Sequence, residues 1–491
     1  MQRKIMALAL AACFVQAPAY AQSAADLAEI RQQLDAMKRN YESRIEALEK
    51  RLAEAEARAG SAQQQAAQAG REAQVALKEA RQAEARQAAT QVAQGTGGAA
   101  GRPQSANAFN PEMSLILQGR AARLSQDPAT YAIGGFLPSG GEVDPGKRGL
   151  SLAESEIVLS ANVDPNVNAT FIAALAPEGG VNVENAYFQT LGLGNGFTLK
   201  GGRFFSKIGY QNEQHSHAWD FVDAPLAYRA FFGGQLADDG VQLRWVAPTD
   251  LLVELGAEAG RGLNFPANDR NKNGAGLATL FARVGGDLGA SHSWRTGLSY
   301  VRTRADNRSW DDADSTGAAV TNAFTGRSRT WVADLVWKWA PEGNPTAQNF
   351  KFQTEYFRRS EDGTLAFDTA TPPATLTPGL TGDYASRQSG WYAQGVYQFM
   401  PHWRAGVRVD RLSSGRVSIG QVASGALTAA DFPALAAYRP GAGSAMLDWS
   451  PSEFSRFRLQ FTRDRSRPGV TDNQLFLQYI LSLGAHGAHS W

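Results

Sequence analysis

The sequence predicts an all-β fold, a sixteen-stranded antiparallel transmembrane β-barrel preceded by an α-helical coiled-coil segment. From residue 113 onward, apolar and polar residues alternate with period two over segments of about ten residues, the length that a tilted membrane-spanning strand needs. Large aromatic residues gather at the ends of these segments, as they do at membrane interfaces. Before residue 95 the chain is instead rich in Ala, Gln, Glu, Arg and Lys and carries a heptad repeat.

The first residues have the pattern of a secretory signal peptide, predicted over 1–21. A basic start is followed by an apolar run from Ile5 to Val15 and by Ala19-Tyr20-Ala21, a cleavage site of small residues. An alternative treats Leu10 to Cys13 as a lipoprotein acylation box, which leaves an apolar run of only about eight residues. Cleavage after Ala21 would remove the only cysteine, so we expect no disulfide or thiolate chemistry.

Residues 22–94 predict a periplasmic coiled coil, and residues 95–112 predict a flexible linker. After Gly60 the apolar seam is mostly alanine, which weakens association, and a solvated single helix is the alternative. The linker is rich in Gly and Ala and ends the helical pattern. The larger apolar residues of the seam recur in steps of three and four, with one stutter: Leu27, Ile30, Leu34, Met37, Tyr41, Ile45, Leu48 and Leu52.

Residues 113–491 predict the barrel. The clearest strand places Trp331, Leu335 and Trp337 on one face and Asp334 and Lys338 on the other. Short connections alternate with mostly longer ones, and the even strand count puts both termini on the periplasmic side. The same template gives strands near 113–124, 149–163, 167–176, 181–191, 196–204, 239–247, 251–260, 275–288, 293–302, 328–339, 347–359, 389–399, 403–412, 443–450, 455–464 and 474–484.

The longest connection, from about Phe205 to Asp238, contains the stretch GYQNEQHSHAWDF. Two histidines flank one serine there and would share one side of an extended segment, so a metal site completed by a nearby acid is sterically possible. The spacing is weak evidence, and a serine between two histidines cannot reach either as a triad serine does. We therefore predict no metal, no cofactor and no enzymatic activity. Pro225 and Gly233-Gly234 supply turns that fold the loop back, and Phe231 and Phe232 pack it against the wall.

A resemblance to a known family rests on the segment around this loop. The order GGRFFSKIGYQNEQ, a Phe/Tyr-rich stretch and DDGVQLRW, over 197–245, resembles the phosphate-selective porin O and P family. The likeness extends loosely to NFKFQTEYFRR and LFLQYILSLG, and the N-terminal heptads are similar to the periplasmic coiled coil of some dicarboxylate and sugar porins. The resemblance to this family implies a homotrimeric porin in the outer membrane of a Gram-negative bacterium. Such a porin is a passive diffusion channel for small hydrophilic solutes or ions, with the third long loop as its constriction.

The distribution of charged residues indicates where solutes are expected to contact the pore. The 48 basic and 47 acidic side chains suggest no nucleic-acid partner. Alternation along each strand assigns every second residue to the face away from lipid, and on that face basic and acidic residues are balanced in number. Such a balance is ordinary for a porin interior. A sharper hypothesis places unpaired cations, chiefly Arg203, Lys207, Arg229 and Arg244, at the constriction, where they attract anions. The predicted residues of pore constriction and solute contact are these four together with Glu213, His215, His217 and Asp220.

Two other classes of protein remain open at this point. An energy-coupled receptor would need a globular plug and roughly 22 strands, whereas the region before Met113 has a helical pattern. An outer-membrane enzyme or adhesin would use the barrel only as an anchor. Such a protein would not conduct ions.

Overall fold

The computed structural model describes residues 112–140, 143–176 and 179–484, so the predicted signal peptide, coiled coil and nearly all of the linker lie outside the described residues. No helix in those three ranges is long and apolar enough to cross a membrane. Two short α-helices are α1 (Leu226–Phe232) and α2 (Gly420–Ala423). Single turns of 3-10 helix occur at Pro128–Thr130, Ser216–Ala218, Pro341–Gly343, Ala429–Asp431 and Pro433–Leu435.

One antiparallel sheet dominates the described chain and closes on itself. Its strands are β1 (Glu112–Leu124), β2 (Gly149–Leu152), β3 (Ser155–Asp164), β4 (Val167–Leu175), β5 (Val181–Thr190), β6 (Phe197–Phe205), β7 (Ala237–Val246), β8 (Leu252–Gly260), β9 (Leu277–Leu288), β10 (His292–Ala313), β11 (Ala319–Trp339), β12 (Asn349–Phe367), β13 (Leu380–Met400), β14 (Trp403–Ile419), β15 (Gly441–Ser452), β16 (Ser455–Asp464) and β17 (Asp472–Gly484).

Closure occurs at β1, which pairs with β17 along one edge and with β2 and β3 along the other. A break at Ala153 and Glu154 separates β2 from β3, and there the Gln118 N–H donates to Ser155 Oγ at 3.1 Å. Because β2 and β3 occupy one position beside β1, the seventeen segments form a sixteen-stranded barrel. The predicted sixteen-stranded antiparallel barrel is confirmed, and each predicted strand is present in the predicted order. The predicted coiled coil remains a prediction, because it lies outside the described residues.

The outward face is apolar and carries aromatic side chains near both ends. Trp331 and Leu335 are exposed, whereas Val332 and Asp334 between them and Val336 after them are buried toward the lumen. At the short-turn end, successive ring contacts join Trp403, Trp449, Phe457 and Tyr479, with centroids 6.1, 5.6 and 4.6 Å apart. Toward the long-loop end, Tyr300 packs on Trp331 at 4.7 Å, and Tyr356 pairs with Trp391. An apolar band between two aromatic girdles is the surface of a membrane-spanning barrel.

Strands β10 to β14 extend further at the long-loop end than the sequence predicts. β10 and β11 remain paired out to Ala313 and Ala319, well past the predicted ends at 302 and 328. Their outer parts carry polar residues on the outward face, where Arg329 pairs with Asp362. Beyond the lipid an outward side chain needs no apolar character, so the period-two signal fades although the ladder continues.

The hydrophobic core lies inside the barrel. It combines loop 3 (residues 206–236, which include α1) with loop 1 (residues 125–148) and with inward side chains of β9 to β15. Phe136 of loop 1 meets Phe231 of α1 edge to face at 5.6 Å, and Phe231 stacks on Phe357 of β12 at 5.7 Å. Packing around loop 3 therefore fills the lumen on the β9 to β15 side, while two cavities adjoin loop 3 on the side of β1 to β7. A third cavity, of about 1180 Å³, lies at the long-loop end of β11 to β14.

Candidate functional site

Loop 3 begins with a buried clamp at Asn212. The Asn212 Nδ2 group donates to the carbonyl oxygens of Ser206 and Leu236 at 2.7 and 2.8 Å, and its Oδ1 accepts from the Leu236 N–H at 2.7 Å. One fully buried amide therefore holds together the strand β6 exit and the strand β7 entry. The loop leaves the wall as a closed unit whose base is fixed.

From this base, loop 3 runs against β8, β9, β10 and β12. The Lys207 N–H donates to Glu258 at 2.9 Å, and the guanidinium groups of Arg283 and Arg295 donate to the Gly209 carbonyl at 2.8 and 3.1 Å. Glu355 of β12 then accepts from the Gln211 N–H at 3.0 Å. Backbone groups in the lumen cannot join a sheet ladder, so charged wall side chains supply their partners.

Glu355 is the centre of the loop's attachment to β12. Besides Gln211 it accepts hydrogen bonds from the hydroxyls of Tyr228 at 2.8 Å and Tyr392 at 2.6 Å. The helix α1 presents Tyr228, Phe231 and Phe232 to the ring of Phe357, with centroids 5.0, 5.7 and 6.1 Å away. The structure agrees with the predicted packing of Phe231 and Phe232 against the wall. After α1 the chain turns at Gly233 and Gly234, whose φ angles of 70° and 112° are positive.

Gly209 stands where a side chain has no space. It has φ 56°, and a Cβ there would lie 2.0 Å from Glu355 Oε2 and 2.6 Å from the Tyr228 hydroxyl. Gly194 has a similar φ of 76°, but no described atom lies within 4 Å of a Cβ at that position. We expect Gly194→Ala to cost about 1 kcal/mol for the left-handed backbone. Gly209→Ala should cost about 1–3 kcal/mol more, from the added clash. Unfolding in guanidinium chloride with lipid vesicles measures both changes in unfolding free energy. Equal costs would show that loop 3 moves away from the added methyl group without losing stability.

The second half of loop 3 binds the opposite side of the lumen. Asp220 meets Lys351 of β12 at 2.5 Å, Gln394 of β13 at 3.1 Å and Arg404 of β14 at 3.6 Å. Arg458 of β16 donates to the Trp219 carbonyl at 2.9 Å. With the contacts of its first half, loop 3 thus spans the lumen from β8 and β9 to β14 and β16.

Asp220 should make stability depend on pH in the acid range. Burial raises its pKa, but Lys351 and Arg404 outweigh burial and hold the pKa below its ordinary value. The unfolded chain therefore binds this proton first, so the stabilisation is complete above about pH 5 and is lost as pH falls through the folded pKa. We expect Asp220→Asn to lower the unfolding free energy by about 2 kcal/mol at pH 7. The difference should shrink below about pH 4; a difference independent of pH would contradict this.

The two histidines of loop 3 lie against β3 and β5. His215 Nδ1 is 2.9 Å from Glu184 Oε2 and 3.2 Å from Glu156 Oε2, and Asn185 Nδ2 lies 2.8 Å from the other ring nitrogen. His217 is buried, with Nδ1 2.9 Å from Glu156 Oε1. Burial lowers the pKa of His215, but the carboxylates of Glu156 and Glu184 outweigh it and raise the pKa to about 10.

Glu213 joins the same region to β9. Its carboxylate lies 3.1 Å from Lys207 Nζ and 3.3 Å from a guanidinium nitrogen of Arg283. Burial raises the pKa of Glu213, but Arg283 and Lys207 outweigh burial and lower the pKa to about 2. Glu213 therefore keeps its negative charge at every physiological pH.

The expectation that four cations around loop 3 are unpaired is wrong. Parity identifies the face of a strand that a side chain occupies, but it does not identify the partner on the next strand. Cross-strand register and the folded loop supply a carboxylate for each cation. The pairs are Arg203 with Asp239 at 2.7 Å, Lys207 with Glu213 at 3.1 Å, Arg229 with Asp223 at 3.2 Å and Arg244 with Glu254 at 3.7 Å.

Two cavities adjoin loop 3 on the open side of the lumen. A loop-side cavity of about 750 Å³ lies between loop 1, loop 3, β1 and β5, and Arg203 and Arg229 line it. A turn-side cavity of about 460 Å³ lies between loop 3, β1 and β3 to β6, and Lys207, Glu213 and His215 line it. The remaining predicted residues, His217, Asp220 and Arg244, line neither of these two cavities. Five of the eight predicted residues are thus brought to the open space.

Several important residues have no sequence signal. Glu355 and Gln211 are 144 positions apart, and nothing in either strand or loop pattern identifies them as partners. Loop 1 lacks periodicity, yet Phe136 covers α1 and the Val143 carbonyl accepts from Arg229 Nε at 2.6 Å. The carboxylates around His215 come from β3 and β5. The sequence predicts that these carboxylates face the lumen, but it does not predict their contact with His215.

A closed sixteen-stranded barrel with an apolar outer band and a polar lumen crossed by a long loop defines an outer-membrane β-barrel protein. No family model matches the chain. An uncharacterized protein of Aquifex aeolicus strain VF5 is 32% identical over 416 residues, which covers 79% of this chain and 81% of that protein. The chain belongs to the same family as this Aquifex aeolicus protein.

Solved structures with a similar arrangement are outer-membrane proteins of low sequence identity. They include the in-vitro folded trimer form of OmpT of Vibrio cholerae, at 10% identity over 76% of this chain and 99% of that chain, with a TM-score of 0.47. The outer membrane channel DcaP of Acinetobacter baumannii matches at 10% over 76% and 97%, with a TM-score of 0.42. An anion-selective porin from Comamonas acidovorans matches at 10% over 76% and 99%, with a TM-score of 0.43. Such values carry no argument about function, so the class rests on strand pairing and the outer surface.

Proposed function

We propose that this protein is a porin, a passive diffusion channel for small hydrophilic solutes in which loop 3 forms the constriction. The observation that carries the proposal is the course of loop 3, which spans the lumen and has a cavity on each side of it. Phe205 borders both cavities, and His215 and Ser216 border one each, so we infer that solutes pass beside this part of the loop. A polar, water-accessible lumen inside an apolar outer surface supports permeation.

The charges along this route are nearly balanced, so we propose weak ion selectivity. A passing anion must compete with the carboxylate that each cation already contacts. Arg203, whose side chain is 35% exposed, is the most accessible of the four cations. Anionic solutes remain within the proposed class. The charged residues of the loop-side cavity are four basic and five acidic: Arg120, Lys147, Arg203, Arg229, Asp144, Glu154, Glu184, Asp223 and Asp238.

Planar-bilayer recording tests the proposal. The purified protein is expected to insert and give stepwise ohmic conductance, with a small reversal potential in a KCl gradient. A strong cation preference would reject anions as the favoured solutes. A correctly folded but nonconducting protein would reject the channel and favour a barrel-anchored enzyme or adhesin.

We also propose that the protein is a homotrimer with its N-terminal segment in the periplasm. The proposal is supported by the heptad seam between Leu27 and Leu52. Size-exclusion chromatography with light scattering should report a trimer that loses stability when residues 23–94 are deleted. An unchanged barrel trimer after deletion would show that the seam is dispensable.

A further inference from the structure

Glu156, Glu184 and His215 converge where β3, β5 and loop 3 meet. Their ligand atoms, one carboxylate oxygen from each Glu and a ring nitrogen of the His, all lie within 4.8 Å of one another. Both carboxylates approach the same atom, His215 Nδ1, at 2.9 Å for Glu184 and 3.2 Å for Glu156. We propose that these three side chains form a binding site for a divalent transition-metal ion, of which Zn²⁺ is representative.

The spacing of the three side chains is close to that of a coordination sphere. With Zn–N of about 2.0–2.1 Å and Zn–O of about 2.0–2.2 Å, a tetrahedral ion keeps neighbouring ligand atoms roughly 3.3–3.5 Å apart. The two distances from His215 Nδ1, 2.9 and 3.2 Å, are shorter by only a few tenths of an ångström. Small rotations of the two carboxylates therefore admit an ion. One imidazole with carboxylates suits Zn²⁺ and its neighbours better than Mg²⁺ or Ca²⁺, which favour oxygen ligands alone.

An unsatisfied oxygen at Glu156 is the second observation. Glu156 is fully buried, and its Oε2 receives no hydrogen bond from the described part of the chain although it lies 3.2 Å from His215 Nδ1. The His215 N–H is used by Glu184, and one proton cannot satisfy two carboxylates fully. Glu156 Oε1 is meanwhile held by His217 at 2.9 Å. A carboxylate with one oxygen oriented by a neighbour and the other open toward the cluster has the form of a metal ligand.

The surroundings fix the imidazole so that Nδ1 points to the carboxylates. Asn185 Nδ2 lies 2.8 Å from Nε2, and the ring of Phe205 meets the imidazole edge to face at 5.1 Å. When Nδ1 binds an ion, Nε2 carries the proton. A half-turn of the Asn185 amide then lets Oδ1 accept a hydrogen bond from Nε2, in exchange for the 3.3 Å hydrogen bond that Oδ1 now accepts from the Phe205 N–H. Glu184 lines the loop-side cavity and His215 lines the turn-side cavity, so an ion reaches the cluster from the lumen and water completes its coordination.

Zinc titration by calorimetry tests the site on the purified full barrel in detergent after treatment with a chelator. The starting protein should carry His486→Asn and His489→Asn, because histidines of the C-terminal tail would bind zinc independently. We expect one Zn²⁺ per chain, with affinity reduced about 100-fold by His215→Asn and by Glu184→Gln. The control is His402→Asn at an exposed turn, where φ is 69° and Asn is tolerated, and it should leave the affinity unchanged.

Two outcomes overturn the proposal. One is the absence of stoichiometric binding, and the other is full affinity in both His215→Asn and Glu184→Gln. Gel mobility of unheated samples verifies that each variant is a folded barrel, and Glu184→Gln decides if His215→Asn fails to fold. The titration requires no ion conduction, so a nonconducting protein would reject the porin proposal and leave this test intact.

Discussion

Replacing residues 213–234 with two glycines is expected to raise single-channel conductance at least about twofold, because it removes the segment that crosses the lumen. The ends of this segment are already close. Gln235 Nε2 donates to the Asn212 carbonyl at 2.8 Å, and the Asn212 side chain still clamps Ser206 to Leu236. Two glycines are therefore enough to join Asn212 to Gln235, since each residue of an extended chain spans about 3.5 Å. The barrel wall itself is left unaltered.

The same replacement should make the channel more selective for anions. It removes three carboxylates, Glu213, Asp220 and Asp223, but only two cations, Arg229 and His215, whose raised pKa of about 10 keeps it protonated at neutral pH. Five wall cations that now contact loop carboxylates would lose these partners in the widened lumen: Arg283, Arg295, Lys351, Arg404 and Arg408. Positive side chains that line a pore favour anions, so the reversal potential in a KCl gradient should shift in the anion-selective direction.

Shortening the exposed connection between Phe367 and Leu380 provides the control, because its tip contacts no residue of loop 3 among those described. That variant should conduct like the parent protein. If the loop 3 replacement leaves conductance unchanged while the barrel remains folded, loop 3 is not the constriction. Solutes would then pass at a different narrowing.

Alternation predicted the barrel well because the lipid imposes it physically. An outward side chain such as Trp331 must be apolar, whereas alternate residues such as Val332 and Asp334 face the lumen and can be polar, so each spanning strand repeats one rule. The rule fails where the lipid ends. The outer halves of β10 to β14 are therefore in the structure but not in the prediction.

The site was less predictable because its partners are distant in sequence. Counting strands located loop 3, and its turns and aromatic residues indicated how it folds back. Which wall residue meets Asp220 depends on packing across the lumen, since Arg404 lies on β14 and Lys351 on β12. The same limit explains the error about unpaired cations: Arg203 and Asp239 become neighbours only through the register of β6 with β7. Histidine spacing in the loop suggested metal chemistry weakly, and the strand carboxylates that strengthen it lie outside the loop.

Asp448→Asn is expected to be the most destabilising single change considered, at about 3–5 kcal/mol. Asp448 is fully buried in the wall of the lumen. It accepts from Arg458 through both oxygens at 2.7 and 2.9 Å and from Arg404 at 2.7 Å. Asn has the same shape but no charge, so Arg458, with a side chain only 1% exposed, would be left with a buried charge that lacks its counter-ion.

Asp239→Asn is the matched control, because Arg203 also contacts Asp239 through two bonds, at 2.7 and 3.0 Å, across neighbouring strands. The difference is exposure, 39% for the Asp239 side chain against none for Asp448. Water and salt screen the exposed pair, so its loss should cost about 1 kcal/mol or less. Raising NaCl to about 1 M should diminish that smaller cost and leave the cost at Asp448 nearly unchanged. Equal effects in equilibrium unfolding would mean that water reaches Asp448 freely, and that the packed side of the lumen is more open than its contacts indicate.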